Sequence, residues 1–165
     1  MSTRTQPAPQ KITTFLWFDN NAEEAANFYV SVFKNSKILN TARYGEVGPG
    51  PRGSVMTIEF DLDGQRFTAL NGGPQFKFNE AISLVVHCVT QEEIDYYWEK
   101  LSADGGEQVQ CGWLKDKFGL SWQVVPNNLP ELLTDGDSQK RERVMSAIMG
   151  MKKLDIDALQ KAANS

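Results

Sequence analysis

The sequence predicts an α+β protein made of two copies of one βαβββ module followed by C-terminal helices. Three observations predict it. First, Thr14–Phe33 (TFLWFDNNAEEAANFYVSVF) lies over Ser83–Ser102 (SLVVHCVTQEEIDYYWEKLS) at a constant offset of 69 (83 − 14). Second, each copy carries apolar residues at i, i+3, i+4 and i+7, the stripe of an amphipathic helix. These are Ala25, Phe28, Tyr29 and Val32, then Ile94, Tyr97, Trp98 and Leu101. A short apolar run, Phe15–Phe18 or Leu84–Val86, precedes each. Third, a further offset of 55 (119 − 64) lays Gly119 on Gly64, Trp122 on Phe67, Gln123 on Thr68 and Val125 on Leu70. One supersecondary unit used twice explains all three.

Taken in order, residues 1–10 are polar with two prolines and are expected to form a flexible tail. Lys11–Phe18 reads as the first strand. Asn20 or Asn21 is expected to cap the following helix, with Glu23 and Glu24 in its positive first turn. Lys37–Tyr44 reads as a strand. Gly45–Gly53, with four glycines and two prolines, is an exposed loop. Ser54–Leu62 and Gln65–Leu70 are strands joined by the two-residue turn Asp63-Gly64. Asn71-Gly72-Gly73-Pro74 breaks the chain. In the second copy, Ala81–Val89 is a strand and Gln91–Leu101 a helix. Gln108–Leu114 reads as one strand, Lys115–Gly119 as a turn and Leu120–Val125 as the returning strand. Ser138–Met149 and Leu154–Ala162 are expected helices, the first with Arg141, Val144, Met145 and Ile148 on one side, the second with Asp155 as its cap. The expected division is therefore a tail (1–10), a first module (11–71), a linker (72–80), a second module (81–126) and a helical tail (127–165).

The composition is that of an ordinary globular chain: 165 residues, 41% hydrophobic and 23% charged. A chain of this size buries roughly 70% of its unfolded surface and needs no disulfide or metal to fold. The net charge of −4 and the lack of a Lys/Arg cluster argue against nucleic acid as a partner. No apolar run reaches membrane-spanning length, and MSTRTQPAPQ has no apolar stretch, so neither a membrane partner nor a signal peptide is expected. Cys88 and Cys111 lack CxxC spacing and are expected to be thiols in the cytoplasm.

Four stretches carry a family resemblance: Ile12–Tyr29 (ITTFLWFDNNAEEAANFY), Asn35–Gly45 (NSKILNTARYG), Ala69–Asn79 (ALNGGPQFKFN) and Gly112–Pro126 (GWLKDKFGLSWQVVP). Through them the chain resembles the PhnB-like group, whose bacterial members often bear the name 3-demethylubiquinone 3-methyltransferase domain. That group lies in the vicinal oxygen chelate superfamily, with glyoxalase I, extradiol dioxygenases and bleomycin-resistance proteins. The resemblance implies a glyoxalase-like open barrel cup, two half-cups facing each other, and a homodimer. Metal enzymes of the superfamily place ligands on the first and last strands of each module. Carried over, those positions are Thr14, Thr68, Ser83 and Gln123. Hydroxyls and one amide lack the charge and basicity to hold a transition metal, so no metal is expected. The methyltransferase name implies S-adenosylmethionine, but there is no GxGxxG and no alternating parallel α/β pattern, so no cofactor is expected either.

The residues expected to face the cup are Thr14, Leu16, Phe18, Thr68, Ser83, Val85 and Gln123, with Phe76 and Phe78 plugging it from the linker. Trp17 and Trp122, on the opposite strand parity, are expected to pack against the helices. His87, the only histidine, shares a strand face with Ser83 and Val85. It reads either as a general base in the cup or as a packed histidine at a strand end. Cys88 alternates away from it. Glu23-Glu24 and Glu92-Glu93 are explained as helix-dipole partners. The leading expectation is a protein that binds a small organic ligand in the cup without metal. The alternatives are an enzyme of the same fold, either the methyltransferase of the family label or an isomerase/lyase using His87, and a dimeric interaction module using the methionine-bearing tail.

Overall fold

The computed structural model describes residues 10–165; the expected tail, but for Gln10, lies outside the described residues. The first module runs β1 (Thr14–Phe18), α1 (Ala22–Val32), β2 (Lys37–Arg43), β3 (Val55–Leu62) and β4 (Gln65–Asn71). The second runs β5 (Ser83–Cys88), α2 (Gln91–Ser102), β6 (Glu107–Gln108), β7 (Trp113–Lys115) and β8 (Ser121–Pro126). Then come α3 (Leu129–Thr134), α4 (Ser138–Met149) and α5 (Ile156–Asn164). The two sheets share one topology, β1-β4-β3-β2 and β5-β8-β7-β6, each with a parallel first pair and antiparallel pairs beyond it. Each is an open four-stranded sheet and neither closes into a barrel. The chain divides into two compact units, with the boundary between Lys77 and Phe78.

In the first unit α1 buries Ala22, Ala25, Ala26, Tyr29 and Val32, while Phe28 stays half-buried at the rim. Tyr29 stacks on Phe60, with centroids 6.2 Å apart, and Phe60 on Phe67 at 5.6 Å, which ties the helix to β3 and β4. The helix start differs from expectation. Asn21 stands at the cap position but makes no side-chain cap bond. The Ala22 N–H instead donates to Asn71 Oδ1 at 2.8 Å, from the end of β4. Asn71 Nδ2 donates in turn to the Val55 carbonyl. The Asp63-Gly64 turn has positive φ at both residues (46° and 84°), the type I′ geometry that hairpins favour.

In the second unit the expected strand Gln108–Leu114 is two strands. Cys111 and Gly112 both take positive φ (60° and 82°), so the chain folds back and β6 pairs antiparallel with β7. A Cβ on Gly112 would lie 2.9 Å from the Val124 carbonyl oxygen, so the position needs glycine. The tip's amides are satisfied from far away: the Cys111 N–H donates to Met151 O and the Gly112 N–H to Lys152 O. No local pattern signals that turn, because its donors are answered by the connection between α4 and α5.

The C-terminal helices close over the end of β8. Val144 and Ile148 of α4, Leu154, and Leu159 and Ala163 of α5 form one cluster with Val125. Met145, expected on the same side as Val144, is 44% exposed instead. Asp155 caps α5 as expected, accepting from the Ala158 N–H. Gln91 fastens this layer to α2: its Nε2 donates to Leu154 O at 3.1 Å and its Oε1 accepts from the Ile156 N–H at 2.9 Å. Gln91→Ala is expected to cost about 1–3 kcal/mol and to release α5 first. Faster amide exchange at Ile156–Leu159, with α1 unchanged, is the check.

Candidate functional site

The strand pairing settles which side chains share a face. In the second sheet Ser83 pairs with Ser121, Val85 with Gln123 and His87 with Val125. These residues alternate with the buried set Val86, Cys88, Leu114, Trp122 and Val124, which packs with Ile94, Trp98 and Leu101 of α2. Ser83, Val85, His87 and Gln123 therefore lie on the face turned from α2, and Trp122 lies beneath the helix. Gln123 Nε2 donates to Ser83 Oγ at 2.9 Å. Val85 is 43% exposed and His87 is exposed. Among the described residues the His87 side chain has no hydrogen-bond or ion-pair partner, so no carboxylate orients it as a triad would.

The first sheet departs from expectation. Thr14 pairs with Phe67, Phe15 with Thr68, and Leu16 with Ala69. Thr14 thus shares the face of Phe67 and Phe60, on which Tyr29 of α1 stacks. Leu16 and Phe18 lie on that same helix-covered face and are buried. The expectation that Thr14, Leu16 and Phe18 open onto one cup face with Thr68 is corrected: they alternate away from it. Phe15, Trp17 and Thr68 form the face turned from α1, and Phe15 is 58% exposed. Trp17, expected against the helix, instead donates from Nε1 to Gly73 O at 2.8 Å and meets Phe76 edge-on at 4.9 Å.

The cause is one residue. The β1–α1 connection spans Asp19–Asn21 and the β5–α2 connection only Val89-Thr90. The helices repeat at offset 69, so the strands before them repeat at 70 (85 − 15), and a one-residue slip exchanges the faces of a strand. Phe76 and Phe78, expected to act together, fall on opposite sides of the boundary between the two units.

Two residues of this region went unnoticed in the sequence. Ser121, beside Ser83, is 1% exposed, and among the described residues its hydroxyl has no hydrogen-bond partner. Asp116, in the turn before β8, is 3% exposed and accepts hydrogen bonds from the Phe118 and Leu120 N–H groups and from Trp122 Nε1. Both lie within the Gly112–Pro126 stretch that carries the family resemblance, but only burial distinguishes them there. Cys88 is buried on the α2 side, and desolvation, with the Glu93 charge adding, pushes its thiol up to about 12. It is no nucleophile at neutral pH. Because the folded pKa lies above the unfolded one, this contribution to stability is complete below pH 9.0 and is lost as pH rises toward 12. The urea midpoint is expected to fall between about pH 8 and pH 10.5, and less so in Cys88→Ala.

Comparison with known proteins now bears on these faces. Residues 10–125 match the profile of the 3-demethylubiquinone-9 3-methyltransferase family. The chain belongs to this family. It is the PhnB-like group of the vicinal oxygen chelate superfamily. A solved PhnB protein from Bacillus cereus is 43% identical, covers 71% of this chain with 99% of its own, and superposes with a TM-score of 0.65. Protein PA1353 from Pseudomonas aeruginosa (17% identity, 70% of this chain and 96% of its own, TM-score 0.58) shares the fold. So does the fosfomycin resistance protein FosX from Listeria monocytogenes (16%, 78% and 99%, TM-score 0.51). No curated protein matches the chain.

The groups that the superfamily and the family name imply do not fit these residues. Among the described residues, no three His, Cys, Asp or Glu side chains come together as metal ligands. The strand positions turned from the helices hold Phe15, Glu59 and Thr68 in the first unit and Ser83, Val85, His87 and Gln123 in the second, a single carboxylate and a single imidazole rather than a clustered ligand set. A nucleoside cofactor fares no better. The glycine loop Gly45–Gly53 joins two antiparallel strands, and Asn71-Gly72-Gly73 leads from β4 into the linker rather than into a helix. Among the described residues no helix is long and apolar enough to cross a membrane.

Proposed function

We propose that the protein binds a small organic molecule, without a metal, on the face of the second sheet turned from α2. The observation that carries this is the Ser121 hydroxyl, buried and unpartnered beside the Ser83–Gln123 bond. A buried hydroxyl without a partner costs about 1–3 kcal/mol, which a ligand donor or acceptor recovers. Exposed Val85 supplies apolar contact, and Gln123 both donates and accepts. The same reading carries forward a homodimer in the cytoplasm. Sedimentation at twice the chain mass supports the dimer, and a monomer at micromolar concentration removes it.

Native mass spectrometry and elemental analysis of untagged protein, purified without chelator, form the test. An organic adduct and no bound metal support the proposal. One tightly held metal per chain overturns it. Once the adduct is identified, Ser121→Ala is expected to leave the empty protein at least as stable and to weaken binding about tenfold, the worth of ~1.4 kcal/mol. A tenfold loss with unchanged stability is a signature that a merely structural serine does not produce.

The alternative, catalysis, draws on one observation: His87 is exposed, without a hydrogen-bond or ion-pair partner among the described residues, and on the face of Gln123. His87→Ala separates the two. Binding that survives with no turnover in either protein favours sequestration. Turnover of the adduct that disappears in the variant makes His87 an acid–base group.

A further inference from the structure

A cavity lies wholly within the first unit, between the start of α1 and the Gly45–Gly53 loop. It encloses about 400 Å³ where β1 and β4 end and β3 begins. That volume falls in the roughly 300–1,000 Å³ range of small-molecule sites. Asp19, Asn20 and Glu23 form one wall, Asn71–Gly73 the floor, and Tyr44 with Pro49–Pro51 the roof.

The roof is a built structure. Tyr44 is 6% exposed, and the glycine loop lies directly on its ring: a Cβ at Gly50 would fall 2.2 Å from ring atoms and one at Gly48 3.0 Å. The loop is closed at its base by the Tyr44 N–H on Ser54 O and the Gly53 N–H on Tyr44 O. Arg43 Nη1 donates to Gly53 O. The floor is equally fixed. The Tyr44 hydroxyl donates to Asn71 O, and both side-chain polar atoms of Asn71 are engaged. The Gly72 and Gly73 amides are spent on Phe18 O and Asp19 O.

The side-chain charge on the wall is the Asp19 and Glu23 carboxylates. Among the described residues neither is in an ion pair, and no Lys, Arg or His lines the cavity. The arginines of the loop are used elsewhere, Arg52 on Glu46 and Arg43 on the Gly53 carbonyl. The positive end of α1 is answered locally by Asn71 and by acidic residues in its first turn. The cavity thus joins two carboxylates, neither in an ion pair among the described residues, to a preformed wall of proline and tyrosine.

We infer that this cavity binds small organic cations, a protonated primary amine on a short apolar or aromatic body. The ammonium sits between Asp19 and Glu23, and its body lies against Pro49, Pro51 and Tyr44. This site lies in the first unit, and its test does not depend on the second-sheet face that carries the proposed function.

Amide shifts of the full chain, followed during titration with benzylamine, benzyl alcohol and benzoate, test it. These probes share a body and differ in charge. Benzylamine is expected to shift Gly48, Gly50, Gly72 and Gly73 saturably, and the other two are expected to leave them in place. In Asp19→Asn/Glu23→Gln the amine's affinity is expected to fall at least about tenfold while the remaining spectrum stays put. Both positions are exposed, so the fold tolerates the exchange. Equal shifts from benzyl alcohol, benzylamine shifts confined to other residues, or wild-type affinity in the double variant would each overturn the assignment.

Discussion

Asp116→Ala is expected to destabilise the second unit by about 3–5 kcal/mol, the range for removing one partner of a buried charged network. The carboxylate sits 3% exposed in the turn between β7 and β8. Its Oδ1 accepts from the Phe118 N–H at 2.9 Å and the Leu120 N–H at 3.1 Å, and its Oδ2 from Trp122 Nε1 at 2.9 Å. Alanine takes the acceptor away from the buried Leu120 N–H and Trp122 Nε1 and from the half-buried Phe118 N–H. Trp122 lies under α2, so the loss spreads from the turn to the helix-covered face. Asp116→Asn keeps the shape but turns an NH₂ toward N–H donors, and is expected to cost about half as much. Urea unfolding followed by tryptophan fluorescence, with amide exchange to localise the loss, is the measurement. A cost below 1 kcal/mol for Asp116→Ala would mean that the carboxylate is solvated and the turn holds without it.

Tyr29→Ala comes second in size, at about 3–5 kcal/mol, the usual cost of removing a large buried ring. Tyr29 is fully buried and is the ring of α1 that stacks on Phe60 and, through it, on Phe67. Its loss opens a cavity over the strand face that carries Leu16 and Phe18. The register makes a further demand. If that face belongs to α1, then Leu16→Asp is expected to unfold the first unit, whereas Phe15→Asp on the opposite face is expected to leave its stability within about 1 kcal/mol. The two substitutions sit one residue apart, and the contrast between them measures directly which face is covered. Equal costs would return Thr14, Leu16 and Phe18 to the open face.

Much of this architecture is legible in spacing alone. The stripes of α1 and α2, the Asp63-Gly64 hairpin, the helix Ser138–Met149 and the Asp155 cap all follow from contacts within about four residues along the chain. The duplication is legible too, because a repeat is a property of the string. Ser83, Val85, His87 and Gln123 share a face as their alternation implies, since β5 and β8 are regular strands without a bulge.

What escaped the sequence depended on partners far along it. One extra residue between β1 and α1 exchanged the faces of Thr14, Leu16 and Phe18, although each strand read by itself is a plain alternation. The α1 cap came from Asn71, 49 positions from the amide it accepts from. The break within Gln108–Leu114 rests on carbonyls at Met151 and Lys152. Ser121 and Asp116 gained their meaning only from burial, which no local pattern encodes. The sequence by itself therefore determined the modules, their helices and their family, because periodicity records which side chains recur. Tertiary structure decided which strand face lies under a helix and which buried polar group is left without a partner among the described residues, because a buried group's partner is set by where the chain returns in space.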